Sequence, residues 1–260
     1  MLIAVNGEAD MGKDYVADWC AREFDLVKIA FADPMKRFVR QFFGISAENL
    51  WGPSSKRNEE LDAEPLWKFA FSQLHTMHQF TVKVVPEEKG PELRAKAFSA
   101  LQQWVTKLRK DYPEKISARI ILQTLGTEWG RAVDPMMWIN YLVTTQSPLL
   151  AQGYPYTPEL GVRLNVEPET PKRGIIVPDL RFANELEWAK AERIYVVRVR
   201  RLSRVRTDGS NVGLTGHQSE QEQRGIPDSA FDKVFEFPEG LDKVDVMLAD
   251  WADSEMRKAA

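Results

Sequence analysis

A single cysteine, Cys20, stands in 260 residues, so the chain closes no disulfide within itself. A reducing cytoplasm is the expected setting. There are three histidines, and they are scattered. His75 and His78 stand three apart, with no cysteine or further histidine near them in sequence, which excludes a zinc site of ordinary spacing and leaves no basis for a Ser-His-Asp triad. No apolar run approaches the roughly 20 residues a membrane span needs. The opening MLIAVNG has neither a basic n-region nor a small-residue cleavage site, so no signal peptide is expected. The formal net charge is −3, which speaks against a general nucleic-acid binder. There are no repeats and no low-complexity tracts.

What remains is an ordinary soluble mix, with 43% hydrophobic and 28% charged residues. The length suits one domain, or one domain with a large insertion, and a core of that size needs no staples. Residues 2–5 form a short apolar run ending at Asn6-Gly7, a buried strand by pattern. Val16, Ala17, Cys20, Ala21 and Phe24 then share one face of a helix, which places Cys20 in the core. Residues 26–31 are a second strand, broken at Ala32-Asp33-Pro34, and a helix restarts at Met35. Residues 44–115 hold turn signals and helical patterns, and suggest a mostly helical insertion whose apolar residues are compatible with a homodimer interface. Two further helices are expected over 116–126 and 134–145. Residues 153–173 carry four prolines and little periodicity, as in a long loop or an irregular hairpin. Strands follow at 174–177, 194–199 and 234–237, with helices at 184–191 and from Leu241. Strands that alternate with helices and look buried predict a parallel sheet covered on both faces. Ligands of such sheets lie beyond the carboxyl ends of the strands.

Gly7-Glu8-Ala9-Asp10-Met11-Gly12-Lys13-Asp14 matches G-x-x-x-x-G-K between a strand and a helix, the context a phosphate-binding loop requires. Glycines let the backbone N–H groups turn inward around phosphate oxygens. The helix points its positive end at the same anion, and Lys13 adds a full charge for the β- and γ-phosphates of ATP. Asn6, Gly7, Ala9, Asp10, Met11, Gly12, Lys13 and Asp14 are therefore candidate ATP ligands. Asp14 stands where Ser or Thr is usual. Its carboxylate suits Mg²⁺, directly or through water, and equally suits a helix cap. Asp179 closes the apolar run at 174–177. It matches either a Mg²⁺-holding strand tip or a plain turn cap.

Candidate ligands for a second phosphate are Lys36 and Arg37 after the second strand, Arg131, and Arg181 two residues beyond Asp179. A guanidinium grips a phosphate with a bidentate fork. Lys36 and Arg37 also fit a solvated helix face, and Arg131 also fits an ion pair with Glu128 or Asp134. Gln123 could read a base edge or simply occupy a helix. Phe31, Trp129 and Trp138 are base-stacking candidates, although aromatics at such positions more often belong to a core. Arg198, Arg200, Arg201, Arg204 and Arg206 crowd one strand and the glycine-bearing segment after it. Arg198 fits the strand. Arg201, Arg204 and Arg206 fit a basic lid over ATP, with a nucleic-acid patch or a solvated loop as the competing assignments.

Four segments together resemble the phage-type deoxynucleoside monophosphate kinases of the P-loop superfamily. They are residues 6–14 with Gly-Lys-Asp, Phe31-Ala32-Asp33-Pro34-Met35-Lys36, Leu122-Gln123-Thr124-Leu125-Gly126-Thr127-Glu128-Trp129-Gly130-Arg131, and Val177-Pro178-Asp179-Leu180-Arg181-Phe182-Ala183-Asn184-Glu185. His217-Gln218-Ser219-Glu220 is a weaker fifth. The resemblance implies an α/β fold with a five-stranded parallel sheet and helices on both faces, over 1–43 and 116–260, with a lid at about 200–217. Residues 44–115 would be a helical insertion on the acceptor side. It also implies ATP and Mg²⁺, a deoxynucleoside monophosphate acceptor, Glu185 among the acceptor-side residues, and an origin in a virus of bacteria. A phosphomevalonate kinase shares the Gly-Lys-Asp loop, the Asp-x-Arg strand tip and the basic lid, and a P-loop NTPase switch shares the loop alone.

Overall fold

The computed structural model describes residues 1–8, 11–201, 222–223, 225–238 and 241–256. The chain divides into two compact units. One comprises Met1–Lys28 together with the described residues from Arg173 onward, and the other is Ile29–Lys172.

The first unit is a five-stranded parallel sheet. Strand β1 is Leu2–Asn6, followed by helix α1, Lys13–Glu23, and β2, Leu26–Lys28. The chain re-enters the unit at β3, Gly174–Leu180, and continues through α2, Ala183–Ala191, β4, Tyr195–Arg201, β5, Lys233–Phe237, and α3, Leu241–Trp251. The strand order is β2-β3-β1-β4-β5, and each neighbouring pair is parallel. β1 is the central strand. Its apolar run is continuous because both faces are covered. Ile3 and Val5 join Val16, Ala17 and Cys20 of α1 and Val244, Leu248 and Trp251 of α3 on one face. Ala4 joins Leu186 and Ala189 of α2 on the other. That is the two-residue alternation of a strand.

Several boundaries differ from the sequence pattern. β2 ends at Lys28, because the next residues turn into the helix Asp33–Phe43. β3 runs past Asp179 to Leu180. Within 153–173 there is a hairpin, Tyr156–Thr157 against Gly161–Val162.

The second unit is mostly helical and contains residues 44–115. Its longest helix is Gly90–Asp111. Its core is aromatic. Phe38 stacks on Phe42 and Phe80, Phe43 meets Trp67 and Trp104 edge-on, and Phe80, Trp129 and Trp138 form a cluster. Most apolar residues of 44–115 are used here, although Phe69, Phe71 and Leu74 stay exposed.

Candidate nucleotide-binding site

In the first unit, the loop after β1 turns at Gly12, whose φ of 94° lies in the left-handed region. A residue with a Cβ is strained there, so glycine is required. Helix α1 has Gly12 itself as its N-cap residue, which offers it no side-chain cap. Its first N–H groups are the donors that such a turn aims at an anion. Lys13 opens the helix, largely buried along its stem. Its Nζ lies 3.6 Å from Asp14 Oδ2. The Asp14 side chain is 64% exposed, and its Oδ1 faces Lys28 Nζ, also at 3.6 Å. Lys28 in turn bonds Asp18 at 2.8 Å. Lys28 has no sequence motif to reveal it, because it reaches Asp14 only through the pairing of β2 with the sheet.

Asp179, half-buried near the end of β3, sits one residue before Leu180, whose carbonyl accepts from Asn6 Nδ2 at 2.9 Å. Asn6 is 1% exposed. Its side chain is engaged by the sheet, with Oδ1 accepting from Arg198 Nε at 3.1 Å. Arg198 is buried as well. Its Nη1 donates to the Ile226 carbonyl and to Asp228, its Nη2 to the Gln223 carbonyl, and its Cζ lies 4.2 Å from the centre of the Phe231 ring. Asp228 also takes Arg200 at 2.6 Å. The Arg198 hydrogen bond first, with the Arg200 charge, holds the Asp228 carboxyl below the usual carboxylate range. Arg201 Nε lies about 4.0 Å from where a side chain at Gly12 would begin. Ala9, Asp10, Arg204, Arg206 and His217–Glu220 lie outside the described residues.

Glu185, an acceptor-side candidate, caps a helix of the first unit. It is 4% exposed, and its Oε2 accepts from the N–H groups of Arg181 at 2.7 Å and Phe182 at 3.0 Å. That is the cap of α2, and it fixes the backbone of half-buried Arg181 directly after the Asp179 strand end.

In the second unit, Lys36 Nζ stands 3.7 Å from Asp33 Oδ1 and 5.8 Å from the centre of the Trp51 ring. Asp33 is 3% exposed. It accepts from Ala30 N, Trp51 Nε1 and Tyr156 Oη, which compensates its burial. Burial, then the Asp33 charge, raises the Tyr156 phenol far above its ordinary range. Arg37 is buried, not on a solvated face. Its Nη1 donates to the Pro158 carbonyl at 2.9 Å, while Nε and Nη2 have no hydrogen-bond partner. Gln123 Oε1 is likewise buried without a partner. Phe31 and Trp138 are core residues, at 5% and 4% exposure.

Arg131 ends a π-helical turn, Leu125–Arg131. Preceding it, Gly130 is required by packing, since a Cβ there would come within 2.4 Å of the Trp138 ring. Trp138 Nε1 donates to the Gly126 carbonyl, so that ring locks the turn carrying Arg131. Nearby, Glu128 takes Lys107 at 2.7 Å and Asp134 takes Lys89 at 3.8 Å. His75 and His78 are exposed. Among the described residues no group of three or more His, Cys, Asp or Glu could hold a metal by itself, and no helix is long and apolar enough to cross a membrane.

No family model matches the chain. It is similar to the deoxynucleotide monophosphate kinase of Enterobacteria phage T4, with 24% identity over 214 residues that cover 76% of this chain and 80% of that protein. This match bears out the resemblance to phage-type deoxynucleoside monophosphate kinases, and the five-stranded parallel sheet with helices around it is consistent with the α/β fold expected of P-loop nucleoside monophosphate kinases.

Proposed function

We propose that the chain is an ATP-dependent kinase that passes the γ-phosphoryl group of ATP to a deoxynucleoside monophosphate, giving the diphosphate and ADP. The observation that carries this proposal is the Gly12–Lys13 turn. A left-handed glycine at the helix start and a lysine after it follow the central strand of a parallel sheet, the arrangement that binds a nucleotide's phosphates. The match to a phage enzyme so named supports the acceptor class.

In this scheme the loop N–H groups and Lys13 hold the β- and γ-phosphates. Asp14 and Asp179 supply hard oxygen donors suited to Mg²⁺. When bound, the ion neutralises phosphate charge. Arg131, Arg181 and Lys36 are the candidate acceptor-phosphate ligands, with Arg37 and Gln123 as further acceptor-side candidates. An oxygen of the acceptor phosphate attacks the γ-phosphorus. The bond from that phosphorus to the β–γ bridging oxygen breaks, and ADP leaves with the electron pair. No general base is needed, because the attacking phosphate is already an anion. Arg201, Arg204 and Arg206 offset charge on the transferring group.

A coupled ADP-release assay tests this. ATP and Mg²⁺ are offered with dAMP, dCMP, dGMP, dTMP, modified pyrimidine monophosphates or phosphomevalonate. Turnover with one or more deoxynucleotides, lost in Lys13→Ala, is the expected result. Turnover with phosphomevalonate alone, or hydrolysis without any acceptor, would overturn the acceptor assignment.

A further inference from the structure

We infer that Arg198, acting with Gln223, is a positioning residue that sets the geometry of the donor-phosphate loop. The observation is a closed ring of buried hydrogen bonds. Arg198 Nε donates to Asn6 Oδ1 at 3.1 Å and Arg198 Nη2 donates to the Gln223 carbonyl at 2.8 Å. Gln223 Nε2 then donates to the Gly7 carbonyl at 3.0 Å. The Asn6–Gly7 peptide closes the ring. Asn6 also donates to the carbonyl of Leu180, next to Asp179. The three side chains are 1%, 4% and 4% exposed.

Stability is a weak reason to bury this guanidinium. Replacing a buried ionic group with apolar residues is often neutral or better, so its retention calls for another explanation. Geometry supplies one. The ring joins the first residues of the phosphate loop, the strand end that carries Asp179, and the chain after the basic segment. A loop that binds phosphate with its N–H groups works only when those dipoles are already aimed. Asn6 pairs in register with both Leu180 of β3 and Arg198 of β4, so a small change at this point shifts the start of the loop against both neighbours. Arg198 contacts no reacting atom in this role. It acts through the Asn6–Gly7 peptide.

The role requires that the loop bind a nucleotide, as proposed above, but not that the acceptor be a deoxynucleotide. The test compares Arg198→Lys, which keeps the charge and loses the fork, with Gln223→Met, which keeps the shape and loses the donor to Gly7. ATP affinity in the presence of Mg²⁺ is read by calorimetry, alongside KM for each substrate and the melting temperature. Gln223→Met is expected to weaken ATP binding about 10-fold and to raise KM for ATP in step, with acceptor KM unchanged and Tm within about 4 °C of wild type. Arg198→Lys is expected to weaken ATP binding further, and Gln223→Met keeps the question answerable if Arg198→Lys does not fold. ATP affinities within 2-fold of wild type in both folded variants would overturn the role, as would equal losses for ATP and acceptor. A wild type that binds ATP yet phosphorylates no deoxynucleotide would sink the kinase proposal while leaving the affinity comparison intact.

Discussion

Lys28 Nζ lies 3.6 Å from Asp14 Oδ1, while Lys13 Nζ lies 3.6 Å from the other oxygen of the same carboxylate. The position that is usually a hydroxyl in such loops is here an anion balanced between two cations. If Asp14 holds Mg²⁺ as proposed, Lys28 competes with the ion for it. Exposed pairs of this kind contribute roughly 0.2–1 kcal/mol, so Lys28→Met should lower the Mg²⁺ concentration for half-maximal turnover by up to about 5-fold, that energy expressed as a ratio. Asp14→Ala should raise it at least about 10-fold, the ratio that corresponds to the roughly 1.5 kcal/mol lower end for losing an interaction with a charged group. A Mg²⁺ titration of activity measures both. If Asp14→Ala leaves the Mg²⁺ requirement unchanged, Asp14 is a helix-start anion and not a metal ligand.

Removing the Lys13 charge should lower kcat/KM by roughly 10³, the scale of losing one preorganised electrostatic contact in the transition state, without altering the circular dichroism spectrum. Arg131→Ala should instead raise KM for the acceptor while KM for ATP holds. A matched rise in both constants for Arg131→Ala would deny it an acceptor-specific role.

Glu185 accepts two backbone N–H bonds at the start of α2. Glu185→Ala leaves those donors without their partner, at a cost of about 2 kcal/mol. For a chain of this size that lowers Tm by roughly 4–8 °C. Glu185→Gln, which keeps an acceptor oxygen, should recover part of the loss. Calorimetry of the two variants reads this, and an unshifted Tm for the alanine variant would refute the cap.

Cys20 is fully buried on α1, and desolvation raises its thiol to about 12. At pH 8 it is protonated and shielded, so the native protein should not react with a thiol reagent, whereas the unfolded chain should react at one site. The sign of the pH effect follows from linkage. The folded pKa is above the unfolded one, so the contribution is complete below about pH 8.5 and is lost as pH rises toward 12, because the unfolded state sheds its proton first. Chemical unfolding of wild type and Cys20→Ala across pH 8–11 should show a steeper alkaline decline in wild type. Parallel curves would refute it.

The glycine-lysine turn was legible in the sequence because its parts are local. Gly7 to Asp14, the strand before them and the helix after them form one continuous stretch, and their spacing carries the chemistry. The apolar periods of residues 2–5, 174–177 and 194–199 likewise declared buried parallel strands, since such strands must be apolar on both faces. Local spacing cannot assign partners across long separations, and there the tertiary structure decided. Glu185 turned out to be a cap, Arg37 and Trp138 turned out to be buried, and Asn6 was claimed by Leu180 and Arg198. Lys28, Gln223 and Asp228 gave no sequence signal at all. Asn6 and Arg198 are 192 positions apart, and no periodicity reaches that far. What brings them to 3.1 Å is the pairing of β1 with β4. The sequence determined which elements form and where the glycine-lysine turn falls; only the register of the sheet decided which side chains pack beside that turn and which serve the core.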